Sequence, residues 1–379
     1  MLEIFFWFFV GAILYVYFGY PLLLLILSKF HRAPPVQKAD ITPTVSLIIS
    51  AYNEKEVIAK KIENALTLDY PKDRLEIIVA SDGSIDGTNE IVSNFTGQGV
   101  KLVALEKNRG KSAAQNEAVK SSTGDIIVFS DSTSMYQVDA LRKLMAPFAD
   151  PHVGCVSGRY YYQNTGESAA SSGEGLYWEY EVSIRTAESR LGNLALTSGS
   201  ITGVRRELFR ELDEDMSEDL ILPIEVALKR LRVVYVLDAI SLETVATTNR
   251  DLFKTKVRII TKDFRGLLSR SAILNPFHYP QYAWGLISHK LLRWLIPFFL
   301  IAILVLNALL VNCSFYAISL GLQIIFYGLA AIGFLWQRKS TPPWPLRIPL
   351  AFCVVNAASL VGVLHFLAGK RAGRWTPIR

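Results

Sequence analysis

The sequence predicts an α/β domain built on a doubly wound sheet and held between membrane helices, one at the N-terminal end and about three at the C-terminal end. Two observations carry this. Charges crowd the middle of the 379-residue chain while both ends are apolar, so 51% hydrophobic residues and a mean hydropathy of +0.27 coexist with 20% charged residues. In the middle, short apolar runs of strand length alternate with helical patterns, which argues for a parallel, doubly wound sheet.

The first element is residues 4–28, IFFWFFVGAILYVYFGYPLLLLILS, an uncharged run. A helix of that length spans a hydrocarbon core of about 30 Å. It is too long for a signal-peptide core, and no basic segment precedes it and no small-residue cleavage site follows it, so it reads as an uncleaved anchor. Residues 294–311, 315–336 and 348–368 are further apolar runs. The last carries Pro349, Asn356, Ser359 and His365 and is a candidate for a re-entrant or interfacial segment.

Lys and Arg placement orients these runs. Glu3 alone flanks the outer end of the first run, whereas Lys29, Arg32 and Lys38 follow it. His289, Lys290 and Arg293 precede the second run, Asn312–Ser314 is uncharged, and Arg338, Lys339 and Arg347 follow the third. This pattern predicts an outside N-terminus and a cytoplasmic domain. The tail conflicts with it: after four full spans it falls outside, yet Lys370, Arg371, Arg374 and Arg379 argue for the inside. Either one apolar segment does not span or the tail breaks the rule.

In the middle, the runs 45–51, 75–80, 100–105 and 125–130 read as strands, separated by helical patterns over 54–68, 85–95 and 111–121. Ligands on such sheets bind beyond the carboxyl ends of the strands. Those ends read Tyr52-Asn53-Glu54, Ser81-Asp82-Gly83-Ser84 and Asp131-Ser132-Thr133. A carboxylate beside a buried sheet is costly, so several at one edge point to a polar ligand or a metal. Each alone is equally well an ordinary helix cap.

The composition also excludes classes. A net charge of +6 comes without a Lys/Arg run or a nucleic-acid-binding motif, which disfavours nucleic acid. Cys155, Cys313 and Cys353 lack zinc or disulfide spacing. No G-x-G-x-x-G follows the first strand and no P-loop motif occurs, so dinucleotide and P-loop enzymes are disfavoured.

SLIISAYNE, IIVASDGSIDGT, NRGKSAAQN and IIVFSDSTS, in that order, closely resemble the nucleotide-sugar-binding half of family 2 glycosyltransferases, which have the GT-A fold. The resemblance continues through SGSITGVRRELF and MSEDL and covers roughly residues 44–270. The flanking helices resemble the membrane-bound members, which make cell-surface polysaccharides or glycolipids. It implies a GT-A-like mixed sheet and domain limits of 1–28 for the anchor, 29–290 for a cytoplasmic transferase domain, and 291–379 for the C-terminal membrane region and basic tail. Within the middle domain it implies a nucleotide-sugar half (44–165), an acceptor half (166–249) and basic interfacial helices (250–290).

Site residues follow by the same resemblance. Glu54, with Tyr52 beside it, and Asp82 contact the nucleoside; a carboxylate at Asp82 suits the N–H or hydroxyl donors of uracil or ribose. Lys111 meets the nucleotide or is a solvated helix-start lysine, Gly110 permits a tight turn, and Asn116 caps or packs. The family's D-x-D motif holds a divalent cation on the diphosphate, and hard oxygen ligands suit Mg²⁺ or Mn²⁺. Here it reads Asp131-Ser132-Thr133, so a hydroxyl stands at the second position. Ser217-Glu218-Asp219 matches the family's T/S-E-D run, which makes Asp219 the general base, with Glu218 orienting the acceptor or its neighbours. The other reading is one acidic, solvated face with Glu211, Asp213, Glu214 and Asp215. Trp178, Glu181 and Arg185, one turn apart, fall near the acceptor or pack the core; Gly199 approaches the donor sugar.

Processive members carry Q-x-x-R-W, of which only Arg258 remains in Thr255-Lys256-Val257-Arg258-Ile259. Lys254, Lys256, Arg258, Lys262, Arg265 and Arg270 read instead as a basic helix at the membrane surface. The resemblance thus implies an inverting, metal-dependent transferase of the plasma membrane, acting on a nucleotide-sugar, foremost a UDP-sugar, and a membrane lipid or glycan acceptor. Oligomers or polysaccharide-export partners would fit. The alternatives are a processive polysaccharide synthase and a catalytically degenerate scaffold.

Overall fold

In a computed structural model of the chain, all residues are described except 32, 163–168, 193, 244–247 and 372–379, and side chains are not described for 169–177. Arg32, Arg374 and Arg379, which entered the charge argument, lie outside the described residues.

The first element, α1 (Leu2–Phe30), is long and apolar enough to cross a membrane, and it packs Phe6, Tyr20 and Leu24 against the rest of the protein. The chain then enters the α/β domain with β1 (Val45–Ala51), α2 (Ile58–Leu66), β2 (Leu75–Ser81), α3 (Thr88–Ser93), β3 (Val100–Ala104), α4 (Lys111–Ser121) and β4 (Ile126–Asp131). The strands coincide closely with the apolar runs. α2 and α3 start later than their patterns, because the residues after β1 and β2 form turns before the helices begin, whereas α4 has the bounds of its pattern. β5 (Met135–Tyr136), α5 (Ala140–Met145), β6 (Val153–Tyr162), α6 (Ala169–Leu191), β7 (Thr202–Arg205), α7 (Glu218–Leu228) and β8 (Arg232–Glu243) complete the domain.

The eight strands form one mixed sheet in the order β3-β2-β1-β4-β7-β6-β8-β5. β1 to β4 run parallel, and β7 enters antiparallel to both β4 and β6. Every residue of β1 is buried, as expected for a strand covered on both faces by helices. One core centres on Leu47, Ile49 and Val128 and the other on Ile48, Ile127 and Phe129, successive residues of β1 and β4 serving opposite faces. Register pairs Ala51 with Ser81 and Ser50 with Asp131, so the three polar strand ends leave the sheet at one edge.

Beyond the sheet lie α8 (Asn249–Ser269) and three long helices: α9 (Pro280–Leu309), α10 (Ser314–Trp336) and α11 (Trp344–Leu367). With α1, these are four helices long and apolar enough to cross a membrane among the described residues. The second apolar helix begins at Pro280 rather than 294. His289, Lys290 and Arg293 therefore lie within it, not before it. They are accommodated because His289 and Arg293 meet buried carboxylates of α6.

α11 is tied to the α/β domain at both ends. Gln337, just before it, accepts from Asn249 Nδ2 at 2.7 Å at the start of α8. Past its other end, the Lys370 carbonyl accepts from Arg265 at 3.0 Å and Arg371 lies 3.5 Å from Asp215. Between these points it packs along α8, with Gly362 against Ile260 and its carbonyl accepting from Thr261.

Candidate active site

Asp82 directly follows β2 and is buried. Its two oxygens accept from the backbone N–H groups of Arg109 at 2.7 Å and Gly110 at 2.8 Å. Gly110 has φ of +107°, a conformation only glycine adopts readily. Asp82 therefore shapes the turn that launches α4 and fixes where Lys111 begins. Gly83 closes against that turn: a Cβ there would stand 2.5 Å from Asn108 N.

α4 in turn fastens the segment before α7. Asn116 donates to Leu212 O at 2.7 Å and accepts from Leu212 N at 3.0 Å, and Ser112 donates to Met216 O at 2.7 Å. The acidic stretch upstream of Glu218 is latched rather than merely solvated. Glu211 pairs with Lys120 at 2.9 Å, Glu214 with Arg109 at 2.7 Å, and Asp215 with Arg265 at 2.7 Å.

These latches bring two distant motifs together. The Lys111 ammonium lies 2.5 Å from Asp131 at the end of β4 and 2.5 Å from Glu218 at the start of α7. Gln115 donates to the same Glu218 oxygen at 3.1 Å. Burial opposes the charge on Lys111, but the two carboxylates outweigh it and push its pKa up. Burial likewise works against an ionised Glu218, and Lys111 outweighs it, holding that carboxyl below its ordinary range. Gly199 fits beside this pair, where a Cβ would stand 3.0 Å from the Glu218 carboxylate and 3.2 Å from the Lys111 ammonium.

Asp219 behaves differently. Burial, then the neighbouring Glu218 charge, pushes its carboxyl up to about 6. Its backbone carbonyl is held by Thr197 N–H and Oγ1 at 2.9 and 3.0 Å, while its Oδ1 has no hydrogen-bond partner among the described residues. The Asp131–Ser134 turn carries Thr133 on its exposed side. Arg258, on α8, is half-buried with Asp131 and Glu218 as its nearest opposing charges. Tyr52 is half-buried and Glu54 buried, with the Glu54 N–H donating to Thr88 Oγ1 at 2.8 Å.

Trp178 is buried, stacked on Tyr160 with centroids 3.7 Å apart, and donates to the Tyr160 carbonyl at 2.7 Å. Arg185 lies over the ring at 4.9 Å. The indole thus forms a cavity wall, and its ring faces are covered by neighbours. The cations of the 254–270 stretch divide: Lys254 is exposed, Arg265 and Arg270 pair with Asp215 and Glu225, and Arg258 turns inward.

Three groups at or near this site escaped the sequence reading. Glu243 ends β8, and the pairing of Met135 with Leu242 sets it beside Ser134, which donates to it at 2.8 Å. Burial, then Asp131, pushes the Glu243 carboxyl up to about 6. Lys61 is fully buried on α2, donates to the Ser134 carbonyl and lies 4.1 Å from the Tyr136 ring centroid. Asp263 is buried on α8, near the Asp219 carboxylate and Lys290. The strand-end rule applied to β8 would have found Glu243; no local signal marks Lys61 or Asp263.

Residues 46–213 match the model of the family described as Glycosyl transferase family 2. A beta-monoglucosyldiacylglycerol synthase of Synechocystis sp. is 25% identical over 334 residues, 83% of this chain and 69% of that protein. A poly-beta-1,6-N-acetyl-D-glucosamine synthase of Staphylococcus epidermidis is 28% identical over 220 residues, 56% of this chain. The chain spans about half the length of that synthase, 53%. Among solved structures, the mannosyltransferase PcManGT from Pyrobaculum calidifontis, in complex with GDP-Man and Mn²⁺, superposes with a TM-score of 0.74 at 22% identity, covering 98% of this chain and 100% of that one. The sheet is GT-A-like, and residues 46–213 form a family 2 glycosyltransferase domain set among four helices apolar enough to cross a membrane.

Proposed function

We propose that the protein transfers a sugar, with inversion, from a nucleoside-diphosphate sugar to a hydroxyl of a membrane-associated lipid or glycan acceptor. The observation that carries this is the Lys111 bridge, 2.5 Å from both Asp131 and Glu218, which joins the donor-side turn to the Ser217–Asp219 segment. A UDP-sugar is the donor class favoured by Asp82 and the nucleoside-side motif; the GDP-Man held by the P. calidifontis structure makes GDP-sugars the second class to test.

The donor set fits a divalent cation that takes most of its ligands from the diphosphate and water, as Mg²⁺ and Mn²⁺ do with one or two protein oxygens. Asp131 supplies a carboxylate and Thr133 a hydroxyl on the same turn. Among the described residues no three His, Cys, Asp or Glu side chains are grouped as a metal site. Such a cation, when bound, offsets the charge that builds on the departing diphosphate. Lys111 places an ammonium beside Asp131 for the same diphosphate, and Arg258 approaches from α8. Asp219 takes the proton from the acceptor hydroxyl as it attacks the anomeric carbon, and Glu218, neutralised by Lys111, holds the start of α7 in place.

The test is nucleoside-diphosphate release by the full chain in detergent with native lipids, over a panel of UDP- and GDP-sugars with Mg²⁺ or Mn²⁺. Release from one donor class, lost in Asp131→Ala, is the expected outcome; absence of release from every donor would leave a scaffold. Product size separates single transfer from chain synthesis, the reading favoured by similarity to the poly-beta-1,6-N-acetyl-D-glucosamine synthase.

A base must be ionised to act, and the Asp219 carboxyl sits at about 6. Activity is therefore expected to be at its plateau above pH 7 and to fall about tenfold for each pH unit below 6. A flat profile between pH 5 and 8 would exclude Asp219 as the base.

The two tethers of α11 support a topology in which α1, α9 and α10 cross the membrane and α11 lies along α8 at the cytoplasmic surface. Lys370 and Arg371 then fall on the same side as the domain, consistent with positive-inside orientation. A reporter fused after Arg371 is expected to report the cytoplasm; a periplasmic or external signal would require α11 to cross.

A further inference from the structure

A cavity of about 360 Å³ opens beside Asp219 and is closed on its far side by the long helices. Its charged lining is Asp219, Asp263 and Glu181 with Arg185, Lys256, Lys290 and Arg293, beside the Tyr160–Trp178 stack, and its apolar lining includes Ile259, Ile260, Phe352, Val355 and Trp294. This size and this division are those of a pocket for a small amphiphile. α11, which contributes Phe352 and Val355, is among the helices apolar enough to lie in lipid.

The hydrogen-bonding inventory of the charged lining is specific. Asp219 Oδ1 and Asp263 Oδ1 are buried acceptors with no partner among the described residues, and Arg185 Nε is a buried donor in the same condition. Asp263 is 2% and Arg185 5% exposed, so water does not reach them freely. Buried polar groups left in this state cost about 1–3 kcal/mol each unless a ligand satisfies them. Asp263 keeps acceptor capacity whether ionised or protonated.

A hydroxyl both donates and accepts, so a pair of neighbouring hydroxyls matches two acceptors and one donor at once. A phosphate offers acceptors alone and would set its charge against that of Asp219. A simple alcohol fills one of the positions. The cations of the lining do not reverse this, because Arg293 is paired with Glu181, Arg185 donates to Thr197 O at 3.3 Å, Lys290 faces Glu181 and Asp263, and Lys256 is already engaged.

We propose that this cavity is the acceptor site for a sugar-headed membrane lipid: Asp263 accepts from the hydroxyl next to the one that Asp219 addresses, and the lipid chain leaves between α8 and α11. The proposal rests on the reading of Asp219 as the acceptor-side base. It narrows the acceptor to a glycolipid, as against a lipid phosphate or a lipid alcohol.

The test is saturable binding to the full chain in phosphatidylcholine nanodiscs, above that to empty discs, of three amphiphiles with one chain length: dodecyl β-D-glucoside, dodecyl phosphate and 1-dodecanol. The glucoside is expected to bind about tenfold more tightly than the other two, an amount typical of one hydrogen bond to a charged group. Asp263→Ala should remove that preference while Asp263→Asn, which keeps an acceptor oxygen, retains most of it. UDP binding in each variant controls for folding. Tighter binding of dodecyl phosphate, or unchanged glucoside binding in Asp263→Ala, overturns the proposal. Failure of every donor in the nucleotide-release assay with glucoside binding intact would instead sink the transferase mechanism and leave the site standing.

Discussion

Replacing Asp219 with Asn is expected to lower turnover by about 10²–10⁴-fold, the range that general-base catalysis supplies. Asn preserves the size of the side chain and can still accept a hydrogen bond, but it cannot take a proton. The backbone at this position is held independently by Thr197, through its N–H and Oγ1, so the segment should keep its conformation. Nucleotide affinity should therefore stay within a few-fold of wild type, and the acid limb near pH 6 should disappear with the carboxyl that causes it. Measuring kcat across pH 5–8 together with UDP binding separates this from general damage. If the variant keeps more than about a tenth of the activity, the base lies elsewhere. Asp263 in the same cavity would then be the first replacement to make. Burial and the Asp219 charge push its carboxyl well above its ordinary range.

A comparably large effect is expected on stability rather than chemistry. His289 is fully buried with Nδ1 2.8 Å from Glu188 and Nε2 3.0 Å from Glu181. Tyr20 of α1 donates to the same Glu188 oxygen at 2.8 Å, and Arg293 pairs with Glu181. This cluster connects α1, α6 and α9, and so ties the membrane helices to the helix that carries Trp178 and Arg185. Burial alone would raise both glutamates; His289 and its neighbours outweigh it and hold them below their ordinary range. Removing the imidazole leaves buried carboxylate charge without one of its partners, which costs about 3–5 kcal/mol. For a domain of roughly 200 residues each kcal/mol moves the melting midpoint by about 2–4 °C. His289→Ala should therefore lower the midpoint in detergent by about 6–20 °C. Adding Glu188→Gln to His289→Ala should recover part of the loss, since it removes a stranded charge. A single variant that melts with wild type would show that the cluster adds nothing to stability.

Much of the donor side was legible in the sequence because its signals are local. A strand covered on both faces must be apolar throughout, so 45–51 and 125–130 stand out, and polar residues mark where each strand leaves the sheet. The order of the motifs then pointed to a GT-A-like sheet. The basic residues of 250–270 were less legible. Read as one surface face, they divide in the structure between pairs with Asp215 and Glu225 and the inward-turned Arg258.

The sequence by itself determined the strand and helix runs, the edge at which the strand-end carboxylates emerge, and the apolar segments. These depend on periodicity and on the cost of placing charge in lipid or in a core, both of which act within a few residues. Only the tertiary structure decided which carboxylates share a site. Lys111 meets Glu218 across more than a hundred positions, Glu243 reaches the Asp131 turn through the pairing of β5 with β8, and His289 finds Glu181 and Glu188 across the junction of α9 with α6. It also decided that α11, apolar enough to span, is fastened to the α/β domain at both ends. Hydropathy measures what a helix can dissolve in, whereas its neighbours determine where it lies.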